Sequence, residues 1–238
     1  MSYKVIDRVN LDLYLKELAK VIRKNDRKNR NSYEIIIVGG ASILINYEFR
    51  RSTMDIDCID VNNILMNDAI SVIANKYDLP TDWINTDFMM TKSYSKKLIR
   101  YSVHYKTFGN GVLNVRTIKD EYLIAMKLVS GRKYKNDLSD IIGILNDNKN
   151  IDLSLINKAI VELYDSINVI NKEAYELLLK YFGDESTDEY KVIRQKEEDN
   201  QVLLINSMDK YNLDENNIDY ILSKLKEWPL KNKKIIIL

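Results

Sequence analysis

Residues 34–60 read EIIIVGGASILINYEFRRSTMDIDCID. An apolar run, Ile35 to Val38, stops at Gly39 and Gly40. Four apolar residues ended by glycine predict a buried strand. The glycines tolerate positive φ and let an anion approach the backbone closely. Ala41 to Phe49 then predicts a two-turn helix with Ile43, Leu44 and Tyr47 on one stripe. Two arginines lead into a second strand whose side chains alternate. Ile56 and Cys58 face a core there, while Asp55 and Asp57 share the opposite face.

Two carboxylates on one strand face repel each other, so a purely structural strand avoids them. A divalent cation removes that repulsion, and Mg²⁺ takes hard oxygen ligands of this kind. Gly39, Gly40 and Ser42, at a helix start, offer amide and hydroxyl donors to phosphate. One short segment therefore combines a phosphate cradle with a metal site, the two parts nucleotidyl transfer requires. The alternative is a βαβ turn with a chance acidic strand.

Gly39, Gly40, Leu44, Tyr47, Arg50, Arg51, Ser52, Asp55 and Asp57 together resemble the signature of polymerase-β-like nucleotidyltransferases. The resemblance runs to the AbiEii-type toxins and their uncharacterised relatives. A second block, with Lys127, Arg132, Asp137 and Asp140, is similar to that group's later signature, so the likeness covers about residues 33–145. It implies an α/β (α+β) fold, a mixed sheet with helices followed by a C-terminal helical bundle. It also implies an NTP substrate, Mg²⁺ or Mn²⁺ on Asp55 and Asp57, and phosphate contacts from Gly39, Gly40, Ser42, Arg51, Ser52 and Lys127. Asp137 or Asp140 is expected to orient the acceptor or act as base. A tRNA 3′ end or other RNA as acceptor, a toxin or phage-defence role, and a cognate antitoxin follow from the same resemblance. Polymerase-β-like enzymes usually carry a third carboxylate on a later strand. Here that strand reads Val112-Leu113-Asn114-Val115-Arg116, without an acid.

Lys127 also stands out without the resemblance. Between Tyr122 and Val129 every other residue is apolar. An ammonium there needs an anion, unless it snorkels to the surface. Asp120 is expected to cap the helix that carries it, Glu121 to Ser130. Asp137 is either a site residue or an N-cap, and Asp140 either a site residue or an ordinary helix-start charge.

The 238 residues carry 36 Lys and Arg against 35 Asp and Glu, a net charge of +1. That excludes a generally basic nucleic-acid binder but allows a local patch. Cation clusters at Arg23–Arg30, Lys92–Arg100 and Arg132–Lys135 are candidates, with solvated loops as the alternative. The single cysteine, Cys58, excludes a disulfide framework. No apolar run is long enough for a membrane span, and no signal-peptide core opens the chain, so a cytoplasmic location is expected.

Outside the first block, Val9 to Ile22 predicts an amphipathic helix and Asn63 to Tyr77 another. Trp83 and Ile84 are expected to pack, and Asp87 either extends the acidic site or is an exposed loop carboxylate. Leu98 to Lys106 and Val112 to Ile118 predict a hairpin around FGNG. His104, the only histidine, is expected to be structural. Apolar stripes predict helices over Leu153 to Ser166, Lys172 to Phe182, Glu189 to Tyr211 and Glu215 to Trp228. Gly183 is a candidate C-cap, and KNKKIIIL at the end a terminal strand or partner contact. The division expected is a nucleotidyltransferase domain over 1–118 and a helical domain over 119–238.

Overall fold

The computed structural model describes residues 5–26, 31–59, 63–183, 189–214 and 217–232. In chain order the first half runs β1 (Ile6–Asp7), α1 (Arg8–Asn25), β2 (Tyr33–Ile37), α2 (Gly39–Asn46), β3 (Ser52–Thr53), β4 (Ile56–Ile59), α3 (Ile64–Tyr77), β5 (Ile84–Asn85), β6 (Ser102–Phe108) and β7 (Leu113–Ile118). Helices α4 (Asp120–Ser130), α5 (Asp137–Asp147), α6 (Leu153–Tyr164), α7 (Lys172–Phe182), α8 (Glu189–Ile205) and α9 (Ile218–Asn232) follow.

Five strands form one mixed sheet in the order β5-β4-β2-β7-β6. Strand β2 lies antiparallel to β4 and parallel to β7. The expected adjacency of the glycine-ended strand and the acidic strand is thus observed, as is the α+β class. Strand β2 is apolar at successive positions because both of its faces are buried. Ile35 and Ile37 pack with α1 and α3 on one face, among Leu15, Leu18, Ile70 and Ile73. Ile36 and Val38 pack on the other, with Ile124, Leu128, Ile141 and Ile160 of the later helices. Each isoleucine fully buried in this way contributes about 1.5–3 kcal/mol. The later helices therefore cover one side of the sheet and share its core.

Several boundaries differ from those the sequence suggests. Helix α2 begins at Gly39, two residues before Ala41, and ends at Asn46, short of Phe49. The segment Leu98–Tyr101 is not strand: Lys96–Tyr101 is a 3₁₀ turn. Ser95 starts it by accepting the Lys97 N–H while donating to the Leu163 carbonyl at 2.8 Å. Lys119, not Asp120, is the N-cap of α4, and the Asp120 carboxylate instead accepts from Asn148 at 2.9 Å. Asn136, not Asp137, caps α5. Gly183 does end α7, with its N–H on the Leu179 carbonyl. Helix α8 stops at Ile205, short of Tyr211. The terminal residues 233–238, and 27–30 of the first basic cluster, lie outside the described residues. No described helix is long and apolar enough to cross a membrane.

The β6–β7 hairpin turns through three successive positive-φ residues, Gly109, Asn110 and Gly111. This agrees with the FGNG reading. Trp83 and Ile84 are buried as expected, and Trp83 donates its indole N–H to the Ile70 carbonyl at 3.1 Å. His104 is exposed on the edge strand and hydrogen-bonds Thr107.

Candidate active site

The site begins where β2 ends. The Val38 N–H donates to the Asp57 carbonyl at 2.9 Å, which sets β4 against the start of α2. Gly39 has φ +61°, and a Cβ there would lie 2.8 Å from Asp57 Oδ2. The carboxylate therefore occupies the space a side chain would fill. A Cβ on Gly40 would lie 2.7 Å from Arg50 Nη2 and 3.1 Å from Thr53 Oγ1. The two glycines keep the first turn of α2 open to the cleft, and amides in that turn have no intrahelical acceptor. Asp55 is exposed beside them and Asp57 half-buried. Burial, and then the neighbouring Asp55 charge, push the Asp57 carboxyl up to about 6. Lys127, Arg132 and Lys135 offset this only in part, so the pair is poised for a further cation.

Behind this pair lies a buried chain of alternating charge. Arg50 Nη1 donates to both oxygens of Asp140 at 3.0 Å. Lys127 Nζ lies 3.0 Å from Asp140 Oδ2 and 2.7 Å from Asp137 Oδ1. Arg132 donates to Asp137 through Nε at 2.9 Å, through its backbone N–H at 3.1 Å and through Nη2 at 3.3 Å. Asp137 and Asp140 are both 0 % exposed. Burial alone would raise the Asp137 carboxyl, but Lys127 and Arg132 outweigh it and hold it well below the usual carboxylate range. Burial would likewise lower the Lys127 ammonium, but Asp137 and Asp140 outweigh it and keep it charged. Three cations face two carboxylates, so the chain presents one net positive charge toward the cleft.

The amino end of α5 is held from outside by α8. Glu197 is 2 % exposed and accepts from the Leu138 N–H at 2.8 Å and from the Ser139 N–H and hydroxyl. Burial pushes its carboxyl up to about 7, against the lowering effect of those bonds. This places a charge-sensitive contact under the helix that carries Asp137 and Asp140.

A cleft of about 540 Å³ joins these parts, within the usual range for small-molecule sites. Gly39, Gly40, Asp55, Asp57, Lys127 and Asp137 line it, and Asp140 lies behind Arg50 and Lys127. Asp87 is exposed and also lines it.

Three expected phosphate contacts fall elsewhere. Ser42 is fully buried and its hydroxyl accepts from the Ile118 N–H, because α2 starts three residues before it. Ser52 sits in β3, in register with Asp7. Arg51 is exposed outside the cleft lining. The guanidinium that does face the cleft belongs to Arg50, with Thr53, Arg132, Lys135 and Gln201 also contributing. Arg132 was visible in the sequence as part of the second block and of a cation cluster, and Glu197 had no signal at all.

Held on both sides by cations, Asp137 makes a weak base. Its geometry gives it a holding role, and Asp140 shares that position between Arg50 and Lys127. Among the described residues no cluster of three or more His, Cys, Asp or Glu could hold a metal. Two carboxylates nevertheless fit Mg²⁺, which commonly binds through one or two carboxylates plus substrate phosphates and water. The space at Gly39 and the raised Asp57 carboxyl both suit an ion at that point.

A mixed sheet that places a Gly-Gly helix start against an acidic strand, with helices packed on both faces, is consistent with a nucleotidyltransferase fold. The chain belongs to the family described as nucleotidyltransferase of unknown function (DUF6036), which matches residues 13–191. That span includes every residue named here as lining the cleft except Gln201. No curated protein and no solved structure matches the chain.

Proposed function

We propose that the chain transfers a nucleoside monophosphate from an NTP to an acceptor hydroxyl, with Asp55 and Asp57 holding Mg²⁺ or Mn²⁺. One observation carries this reading. The Asp57 carboxylate touches the space at Gly39, so a cation position and an anion-binding helix start adjoin within one residue. The acceptor hydroxyl gives up its proton to solvent water, its oxygen bonds to the α-phosphorus, the bond to the bridging oxygen breaks, and pyrophosphate leaves. A bound divalent ion would neutralise triphosphate charge and lower the pKa of the attacking hydroxyl. Gly39 and Gly40 let the Asp57 carboxylate and the Arg50 guanidinium approach the first turn of α2, whose amides would meet the phosphate oxygens. Arg50, Lys127 and Arg132 direct their net positive charge at the reacting phosphates. Asp137 and Asp140 hold those cations in place.

The acceptor proposal draws on exposed cations, of which Lys135 lines the cleft. Lys92, Lys96, Arg100 and Lys135 are exposed and available to an RNA backbone. With the resemblance to AbiEii-type toxins, this supports an RNA end, such as a tRNA 3′ end, a toxin or phage-defence role, and a neutralising antitoxin. A small-molecule acceptor is the second reading. It is favoured because other cations of these clusters are already paired: Lys97 with Asp165 at 2.7 Å, Lys133 with Glu173, and Arg132 with Asp137.

The test is incubation with each α-labelled NTP, Mg²⁺ and total cellular RNA. Label in RNA supports the first reading, label in a soluble compound the second. Label in neither, with NTP still bound, leaves a nucleotide-binding module and removes the transferase proposal.

A further inference from the structure

The cleft lining divides by chemistry. Most of it is charged or polar, but Met54, Phe88, Met90 and Met126 present thioether and aryl surface to the same space. Their placement follows from the sheet. Met54 directly precedes Asp55. Strand β5 runs parallel to β4 with Asn85 in register with Asp57. The 3₁₀ turn Asp87–Met90 follows β5 and so lies beside the acidic pair. Phe88 and Met126 belong to one packed apolar cluster, with the Phe88 ring edge-on to Tyr94 at 5.8 Å. They form a rigid part of the wall. Met54 is 47 % exposed and Met90 90 % exposed. Two solvent-facing thioethers bordering a charged cleft have no role in packing the fold.

We propose that Met54, Phe88, Met90 and Met126 form the nucleobase subsite, and that it takes purines and pyrimidines alike. This rests on the transferase reading above and adds which part of the nucleotide lies where. Base and aromatic or thioether surfaces associate by stacking and dispersion, which every base offers. Methionine is unbranched and polarizable and fits rings of different size. Discrimination between bases needs free polar groups at the ring edge. The hydroxyls nearest in sequence are already engaged: Thr91 donates to the Phe88 carbonyl at 2.8 Å and shares a 3.0 Å bond with Ser93. These four side chains offer no strong donor or acceptor to the base edge, so they grip the base without reading it.

The test separates base from phosphate. Binding of the four NTPs and of inorganic tripolyphosphate is measured with Mn²⁺ by calorimetry. The proteins are the full chain, Met90→Ala and Met54→Ala/Met90→Ala. Both methionines are exposed, so the variants fold. The double variant is expected to lose about tenfold in affinity for every NTP, within the range of about fivefold to a hundredfold or more that stacking on a base is worth. Tripolyphosphate affinity is expected to stay unchanged, and the four NTPs to agree within about threefold in the unmodified chain. Unaltered NTP affinity in the double variant overturns the subsite while leaving the transferase reading intact. A preference of about a hundredfold or more for one base overturns the lack of discrimination. Binding of neither NTP nor tripolyphosphate overturns the transferase reading and the subsite with it.

Discussion

Replacing Lys127 by methionine keeps the stem and removes the charge. In the folded chain the ammonium lies 2.7 Å from Asp137 and 3.0 Å from Asp140, both fully buried. Breaking a buried pair by removing one partner costs about 3–5 kcal/mol when the other is left alone. Here Asp137 keeps Arg132 and Asp140 keeps Arg50, so the loss should fall at or just below the lower end, about 2–3 kcal/mol. For a chain of this size that is a fall in Tm of roughly 5–10 °C. The pH dependence has a definite sign. A carboxyl depressed in the folded state stabilises fully above its unfolded value, 3.8 for Asp137, and loses that contribution as pH falls below it. Lys127, raised above 10.5, stabilises below that pH and loses its contribution as pH rises through the folded value. The gap between the unmodified chain and Lys127→Met should therefore be constant from about pH 5 to 9 and narrow under about pH 4. Thermal unfolding followed by circular dichroism across that range measures it. A gap under about 1 °C at pH 7, or one that widens in acid, would refute the buried charge chain.

Three further substitutions probe the site. Asp57→Asn should raise stability at pH 7 by about 1–2 kcal/mol, a value discounted because the carboxylate is half-buried. A carboxyl raised to about 6 binds its proton more tightly when folded, so the unmodified chain loses stability between pH 3.8 and about 6. No gain at pH 7, by urea unfolding, would contradict that. The same proton competes with Mn²⁺, so Mn²⁺ affinity of the unmodified chain should drop below about pH 6. Gly39→Ala should cost about 1–2 kcal/mol from positive φ alone and push the Asp57 carboxylate aside. It should weaken Mn²⁺ binding in calorimetry, and an unchanged affinity would mean the cradle is not used. Glu197→Gln should flatten the stability loss expected between pH 4.5 and about 7. A slope identical to that of the unmodified chain, in denaturant titrations at several pH values, would remove Glu197 as its source.

The parts of the site that were legible in the sequence are local ones. Gly39, Gly40, Asp55 and Asp57 are read from a strand ending and an alternation, both properties of a few neighbouring residues. Lys127 was legible because an ammonium in an apolar run needs a partner, and its partners are the two aspartates of the second block. What stayed hidden depends on how distant segments meet. Arg50 and Arg51 are indistinguishable in sequence, and the bend into β3 decides which one reaches Asp140, ninety positions away. Ser42 seemed a phosphate donor because the helix was started near it. A true start at Gly39 turns its hydroxyl inward to β7. Glu197 lies in a helix predicted from its apolar stripe, which says nothing of a buried carboxylate, yet it is buried against the start of α5. Leu98 alternates like a strand residue, but the Ser95 side chain nucleates a turn around it.

Pyrophosphate release from NTP in the presence of Mg²⁺, a suitable acceptor and either the unmodified chain or Asp57→Asn tests the transfer chemistry most directly. Asp57 is the residue at which the acidic pair, the glycine cradle and the cleft meet. The expected result is release in step with labelled product by the unmodified chain, and a loss of at least about a hundredfold in Asp57→Asn with the fold retained. Equal release by both proteins would show that the chemistry does not pass through the acidic pair.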